Sequence, residues 1–178
     1  MIQNQLALRQ SRTLEDYEHL LDSQQEEYER LARMIDNMLF LARAEKQESA
    51  LQLESVDLEK LSQQLSGYFE GMAQERGMRI ETTASGFLTA DNGLVRRALA
   101  NLLANAIRYG QADTVVTLRC NTQAPQWLDI EVLNQGAPIG GEHLPRIFDR
   151  FYRCDASRSH PDDSGGLGLA IVHSIMLM

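Results

Sequence analysis

The sequence predicts an α/β sandwich preceded by an α-helical hairpin, and two patterns support that fold class. Between Leu14 and Ala42 the apolar residues recur every three or four positions, as they do along one face of a long helix. From Asp57 onward, helix-like and strand-like segments alternate, which is typical of helices packed on a sheet. A chain of 178 residues has room for one substantial core and one appended element.

The appended element, residues 1–46, is predicted to be a partial helical hairpin whose first arm is short. The apolar seam keeps a heptad register with one polar interruption at Gln24. Further apolar residues widen the seam, which favours a helix of a four-helix bundle. Thr13 is expected to cap the helix together with Asp16. The alternative interpretation is a generic amphipathic helix that packs on its own domain.

Residues 47–55 are polar and lack periodicity, so they predict a linker, and residues 56–178 then form the second domain. Asp57 and Asp91 are predicted to cap two helices of this domain. A last helix is predicted to begin near Leu167. Strand-like patterns occupy the segments between and after the first two helices, namely residues 78–83, 87–89, 114–119 and 127–133. The last two strands are predicted to pair across a turn that contains Pro125.

Composition and charge exclude several classes of protein. The net charge of −8 argues against nucleic-acid binding, because neutralising phosphates requires clustered Lys and Arg. No run approaches the ~20 apolar residues that a membrane span requires, and the first residues do not resemble a signal peptide. Cys120 and Cys154 lack the spacing of a metal site and are expected to be unpaired thiols. We therefore expect a soluble, cytosolic polypeptide.

Three short motifs could bind a nucleotide or a metal. Asn101 and Asn105 lie four residues apart, hence on one helix face, where two carboxamides could bind a hard cation and orient phosphate oxygens; two surface asparagines are the alternative. Asn134 precedes a glycine turn that would let the backbone approach a base. Gly165, Gly166 and Gly168 open the last helix, whose N–H groups could bind an anion, although a simple loop is the alternative.

The order of four strings decides between these alternatives. NLLANAIRY (101–109), NQGAPI (134–139), RIFDRFYR (146–153) and SGGLGLAIV (164–172) resemble, in sequence and order, the nucleotide-binding boxes of histidine kinases. The segment HLPRIFDRFYRCD and the altered first glycine box (NQGAPI) are similar to those of the heavy-metal (copper and silver) sensor kinases. ARMIDNMLFLARAE resembles the second dimerisation helix of the same family. The resemblance implies a dimerisation hairpin at residues 1–46 and an ATP-binding catalytic domain at residues 56–178.

The resemblance also implies roles for individual residues, with ATP and Mg²⁺ as the ligands. Asn105 would bind Mg²⁺, and Asn101 would support the metal or the phosphates. Asn134 stands where most of the family has an aspartate that accepts from the adenine amino group, and Pro138 replaces a usual glycine. Tyr152 would help to anchor the lid. The remaining implied ATP-binding positions are Arg108, Tyr109, Gly136, Ile139, Phe148, Arg150, Phe151, Arg153, Gly166, Leu167, Gly168 and Leu169.

Related gyrase, chaperone and mismatch-repair ATPases carry a glutamate general base four residues before the metal-binding asparagine. Asn101 occupies that position here and cannot take a proton from water. The resemblance therefore implies a protein-histidine kinase, which holds ATP for transfer and hydrolyses it slowly.

None of the four histidines (His19, His143, His160 and His173) lies in the family's H-E-x-x-T-P type of motif, so the phosphoacceptor is expected to be absent. The chain is expected to be a fragment that also lacks C-terminal strands of its sheet. The implied setting is the cytoplasmic portion of an inner-membrane protein, with a response regulator and a second copy of the chain as partners. The alternative function is a dimerisation or interaction module with a degenerate nucleotide site.

Overall fold

A computed structural model of the chain describes residues 13–46, 50–124, 127–154 and 165–178. Within these ranges it contains four α-helices, five β-strands and one short 3-10 helix. The elements in chain order are α1 (Leu14–Glu45), β1 (Leu53–Asp57), α2 (Leu58–Gln74), β2 (Arg79–Thr83), β3 (Phe87–Asp91), α3 (Asn92–Tyr109), β4 (Val115–Ala124), β5 (Trp127–Leu133), the 3-10 helix (Leu144–Arg146) and α4 (Gly168–Met176).

α1 is a single helix of 32 residues, which confirms the long helix predicted from the apolar repeat. The Thr13 hydroxyl accepts a hydrogen bond from the backbone N–H of Asp16 at 3.2 Å, and the Asp16 carboxylate accepts one from the backbone N–H of Thr13 at 3.0 Å. This capping box satisfies two N–H groups at the start of the helix. The predicted first arm of the hairpin falls on residues 1–12, outside the described ranges.

The structure corrects the end of the predicted linker, because β1 begins at Leu53, inside residues 47–55. β1 pairs antiparallel with β3, and Val56 lies opposite Leu88. Val56 is buried whereas the first three residues of β1 are exposed, so the sequence carries no alternating pattern there. β1 is defined by its pairing with β3 rather than by a local signal.

The other three strands form a mixed sheet in the order β2-β4-β5, separate from the two-stranded β1–β3 sheet. β2 runs parallel to β4, with Ile80 opposite Val116, and β4 runs antiparallel to β5, with Leu118 opposite Val132. The predicted pairing of the last two strands is thus confirmed. The turn predicted around Pro125 lies outside the described residues.

The main core lies between the sheets and the two helices α2 and α3. Both helices start where predicted: the Asp57 carboxylate accepts from the Lys60 N–H at 3.0 Å, and the Asp91 carboxylate accepts from the Leu94 N–H at 3.1 Å. Leu103, in the middle of α3, is fully buried. The core residues contributed by helices and sheets include Val56, Leu61, Leu65, Phe69, Leu99, Ile107, Val116 and Leu118.

A second apolar cluster joins three helices. Leu41 of α1 packs there with Ala98 of α3 and with Ile171 and Ile175 of α4. Leu41 is 2% exposed, whereas the apolar residues in the N-terminal part of α1 are exposed. The alternative interpretation, packing on its own domain, therefore holds for the C-terminal third of the helix. The N-terminal seam is uncovered within the described chain, and its place in a four-helix bundle stays a prediction.

None of the helices in the described ranges combines the length and the apolar character that crossing a membrane requires. Both cysteines are free, as expected from their spacing. Burial raises the pKa of the half-buried Cys120 thiol above its usual value.

Candidate functional site

The two predicted carboxamides lie on one face of α3, four residues apart. The Asn101 amide donates a hydrogen bond to the backbone carbonyl of Arg97 at 2.8 Å, so its nitrogen is bound to its own helix. Asn105 is half-buried, and its amide has no hydrogen-bond partner in the described parts of the chain. An amide oxygen in this state fits a hard cation such as Mg²⁺, which prefers oxygen ligands.

The C-terminal end of α3 is joined to the loop that carries Asn134. The N–H of Gln111 donates to the carbonyl of Gln135 at 2.7 Å, and Gly110 and Gly136 form an isolated antiparallel bridge. A Cβ atom added to Gly136 would lie 2.8 Å from the carbonyl oxygen of Tyr109, so the close approach of the two segments requires glycine. The structure therefore brings together the ends of two of the four strings, NLLANAIRY and NQGAPI.

Asn134 is exposed at this junction. Its amide nitrogen donates to the backbone carbonyl of Gln135 at 3.3 Å, which leaves the side-chain oxygen as the outward acceptor. Tyr109 is exposed beside it, at the end of α3. Ile139 follows on the same segment, also exposed. An acceptor, an aromatic ring and an aliphatic side chain that face solvent together could bind a purine base.

The third string, residues 146–153, is held to the glycine string by a backbone contact. The N–H of Phe151 donates to the carbonyl of Gly166 at 3.0 Å. Phe151 has a φ of 62°, which is unusual for a residue with a side chain, and Gly166 has a φ of 75°. A Cβ atom on Gly166 would lie 2.9 Å from the Phe151 carbonyl carbon, so this position also requires glycine.

α4 begins at Gly168 directly after this contact, and its N-cap residue, Leu167, provides no side-chain hydrogen bond. Among the described residues, no side chain therefore caps the first N–H groups of the helix, and these groups can bind an anion. Leu167 and Gly168 are buried and Leu169 is partly buried, so these residues fix the start of the helix. The Phe148 ring stacks on His173 of α4, with 5.3 Å between the ring centroids.

Tyr152 anchors the same segment from the other side. Its hydroxyl is 2.7 Å from Nδ1 of His143, and the guanidinium carbon of Arg146 lies 4.2 Å from the centre of its ring. His143 and His173 therefore both have packing partners, and His19 is exposed on α1. His160 lies outside the described residues.

Three of the predicted ATP-binding residues are arginines, and their surroundings differ. Arg150 forms an ion pair with Glu45, the last residue of α1. Arg108 is half-buried in the last turn of α3, and Arg153 is half-buried at the end of the third string. Their contact with phosphate remains a prediction.

The individual side-chain contacts between α1 and the second domain were not predicted. The Arg97 guanidinium donates to the Asn37 side-chain oxygen at 2.8 Å and lies 4.2 Å above the centre of the Phe40 ring. Burial lowers the pKa of Arg97, and the nearby Asp36 carboxylate partly opposes that shift. No local sequence signal marks this contact or the Glu45–Arg150 pair, because each joins positions at least 60 residues apart.

An α/β sandwich that has a carboxamide helix joined to a glycine turn, and a glycine-opened helix packed on that carboxamide helix, is typical of a nucleotide-binding domain. A family model, described as "Histidine kinase-, DNA gyrase B-, and HSP90-like ATPase", matches residues 90–178, which is half of the chain. The chain belongs to this family, as the four strings implied.

Its relatives are sensor kinases. The chain is 40% identical over 172 residues to the sensor protein IrlS of Burkholderia pseudomallei, covering 97% of this chain and 37% of the relative. It is 39% identical over 176 residues to the sensor histidine kinase CusS of Escherichia coli, covering 98% of this chain and 36% of the relative. The resemblance to the heavy-metal sensor subfamily is confirmed, and the chain spans a little over a third of the length of these relatives.

The fold is similar to that of a solved histidine kinase. Full-length ShkA, solved in complex with AMPPNP, superimposes with a TM-score of 0.78 at 25% identity, over 94% of this chain and 35% of that chain. That coverage includes most of α1 together with the second domain. The predicted α/β sandwich is thereby confirmed, and α1, the second arm of the predicted α-helical hairpin, precedes it.

Proposed function

We propose that this chain binds Mg-ATP and presents its γ-phosphoryl group to a histidine, as the catalytic core of a sensor histidine kinase. The observation that carries the proposal is Asn105: its half-buried amide lacks a partner in the described residues and lies on the helix that ends at the Asn134 loop. Family membership gives the ATP-binding fold. The activity of the whole protein is inferred from this site.

The base would bind at the exposed junction of α3 and the glycine turn. The outward oxygen of Asn134 accepts from the 6-amino group of adenine, and the Tyr109 ring and Ile139 cover the faces of the base. A neutral amide accepts a weaker hydrogen bond than the aspartate more common in the family. We therefore expect moderate affinity and a preference for adenine.

The phosphates would bind toward the start of α4. Its uncapped N–H groups and the positive end of its dipole favour an anion there, and Gly166 lets the backbone come close. Asn105 would hold Mg²⁺, which would neutralise part of the phosphate charge when bound. Arg108, Arg150 and Arg153 supply further positive charge for the same group.

The residues favour transfer over hydrolysis. Asn101 stands where a general base would have to lie, and its nitrogen is already bonded to the helix backbone. A carboxamide cannot accept a proton from water at neutral pH. Phosphoryl transfer requires mainly positioning and charge stabilisation, which these residues can provide.

The acceptor in this proposal is a histidine other than the four in the chain, since His143 and His173 serve packing and none has the acceptor motif. The phosphoryl group would pass on to an aspartate of a response regulator. The site would function in the cytoplasmic portion of a membrane sensor.

A second copy of the chain is the proposed partner for α1. The apolar seam of its N-terminal part is exposed, with Tyr28 at 66% and Ile35 at 56%. Such a seam in heptad register is stabilised when it packs against the same seam of another helix. The homodimer would thus form through α1, as in a four-helix bundle.

Calorimetric titration of ADP and of a non-hydrolysable ATP analogue, with and without Mg²⁺, tests the nucleotide site. We expect Asn105→Ala to abolish the Mg²⁺-dependent part of the binding. Asn134→Asp should tighten binding about fivefold, because a charged acceptor forms a stronger hydrogen bond. Asn92→Ala, the same type of change at the opposite end of α3, is the matched control and should bind as the wild type does.

Absence of binding by the wild-type chain at millimolar nucleotide would contradict the proposal. It would favour the interaction module with a degenerate site, whose remaining property would be dimerisation.

A further inference from the structure

Arg76 follows the end of α2, at a turn that directs it toward α3. The turn is closed by Gly77, whose φ is 64°: its N–H donates to the Gln74 carbonyl at 2.9 Å, and the Met78 N–H donates to the Ala73 carbonyl at 2.9 Å. This pair of hydrogen bonds is the Schellman arrangement for ending a helix. The position of Arg76 is therefore fixed by the backbone on both sides.

The Arg76 guanidinium covers the C-terminal end of α3. It donates to the carbonyls of Ile107, Arg108 and Gly110, the latter two at 2.6 and 3.0 Å. Carbonyls at the end of a helix lack an intrahelical partner and form the negative end of its dipole. A planar cation with several N–H groups satisfies several of them at once, which a lysine cannot do in the same geometry.

The backbone and the neighbouring side chain reinforce this contact. The N–H of Asp113 donates to the carbonyl of Arg76 at 3.2 Å. The Met78 side chain packs beneath Gly110, where an added Cβ atom would lie only 2.5 Å from the Met78 methyl group. The segment after α2 thus holds the end of α3 through a side-chain cation, a backbone hydrogen bond and an apolar contact.

The same stretch of backbone carries the base-side elements of the site. Gly110 bridges Gly136, and the next residue, Gln111, donates to Gln135, whose own carbonyl accepts from Asn134. A short series of hydrogen bonds therefore leads from Arg76 to the Asn134 side chain. Arg76 also donates to the carbonyl of Arg108, so the backbone that carries the Arg108 side chain is held by the same guanidinium.

We propose that Arg76 is a positioning residue for nucleotide binding: it holds the end of α3 where Arg108, Tyr109 and the Asn134 loop can face the nucleotide together. The inference rests on the proposed function, because it assigns a role to Arg76 in that same site. Within the described residues, the hydrogen bonds of the Arg76 side chain all go to backbone carbonyls. It acts through the backbone of α3.

The test uses Arg76→Gln and Arg76→Lys, with the Kd of Mg-ADP and the melting temperature without nucleotide measured for each. Loss of hydrogen bonds from a charged donor should raise the Kd about tenfold in Arg76→Gln, and by an intermediate factor in Arg76→Lys. Arg79→Gln removes an exposed cation three residues away and should keep the wild-type Kd.

The variant Leu65→Val distinguishes a change in the position of α3 from a general loss of stability. Leu65 is buried in the main core, so this change lowers the melting temperature without touching the end of α3. We expect it to keep the wild-type Kd at a temperature where the protein is folded. Amide NMR resonances of Gln111 and Gly136 should shift in Arg76→Lys and stay in place in Leu65→Val.

A folded Arg76→Lys that binds Mg-ADP as the wild type does, with unshifted Gln111 and Gly136 resonances, would overturn the inference. This holds even where Arg76→Gln fails to fold, because lysine keeps the charge and a donor. Failure of the wild type to bind Mg-ADP would instead overturn the proposed function, and the inference with it. The wild-type titration therefore comes first.

Discussion

The helix α1 and the domain that follows it bury their apolar residues in opposite ways. In the domain, the large aliphatic residues of α2 and α3 pack between helices and sheets, and Leu103 has no exposed surface. In α1, most of the heptad seam is exposed, and Leu41 is the one fully buried side chain among its described residues. The comparison separates a region that buries its apolar residues within the chain from one whose apolar residues are exposed.

The boundary between these two behaviours lies within α1. Its last turns contact the domain through Leu41, Phe40 and Glu45, whereas its first five turns expose the seam. One continuous helix therefore belongs to two structural units. Substitutions in its two parts should consequently affect different measurements.

The largest expected effect is that of Leu103→Ala in the domain core. Removing a fully buried leucine costs about 2–5 kcal/mol, because a cavity remains where α3 packs on the sheets. Urea unfolding followed by Trp127 fluorescence measures the change. A loss below about 1 kcal/mol would mean that the core is not packed as described, since that is typical of exposed positions.

A matched pair within α1 tests the boundary itself. Leu41→Ala should lower the stability of the contact with α4 by about 2 kcal/mol, and the melting temperature of the chain should fall. Ile35→Ala, two turns earlier and 56% exposed, should leave the melting temperature of dilute monomer nearly unchanged. It should instead weaken self-association in sedimentation equilibrium. The same response from both variants would remove the distinction between the two parts of α1.

The capping box gives a smaller effect that is confined to the start of α1. Thr13→Ala removes the hydroxyl that accepts from the Asp16 N–H and should cost about 1 kcal/mol of helix stability. Circular dichroism should show lower helix content while the domain unfolds at an unchanged temperature. Ser23→Ala, at an exposed position inside the helix, is the control and should keep or raise the helix content.

The smallest effect is expected for the ion pair between α1 and the third string. Glu45→Gln should change the free energy of unfolding by less than about 1 kcal/mol, because the pair is exposed and screened by salt. It should tighten Mg-ATP binding by a small factor, since Arg150 no longer has a competing carboxylate. Glu29→Gln breaks an exposed pair within α1 and should not alter binding. Unchanged affinity in Glu45→Gln would place Arg150 outside the phosphate site.

The sequence predicted the features that depend on neighbouring residues. The caps at Thr13, Asp57 and Asp91 are local signals, and all three are confirmed. β1 was missed because its pairing with β3, rather than an alternating pattern, defines it. Its position replaces part of the expected linker.

The candidate site likewise has one part that the sequence predicted and another part that it did not. The four strings identified the segments that carry it, because each string is contiguous. The contacts of Arg76 with α3 and of Arg150 with Glu45 join residues 31 to 105 positions apart, and no periodicity marks them. Such contacts depend on how the elements pack, which a local pattern does not specify.

α3 extends from the contact with α1 to the proposed base site, so a rotation of this helix at one end displaces the residues at its other end. Arg97 near its start touches Asn37 and Phe40, while Tyr109 at its end adjoins the Asn134 loop. The twelve residue steps from Arg97 to Tyr109 span about 18 Å of helix. A rotation of about three degrees at Arg97 would therefore move the end of the helix by about 1 Å, a displacement large enough to change catalytic geometry. A small displacement of α1 at its contact with Arg97 would in this way be enlarged at the proposed base site.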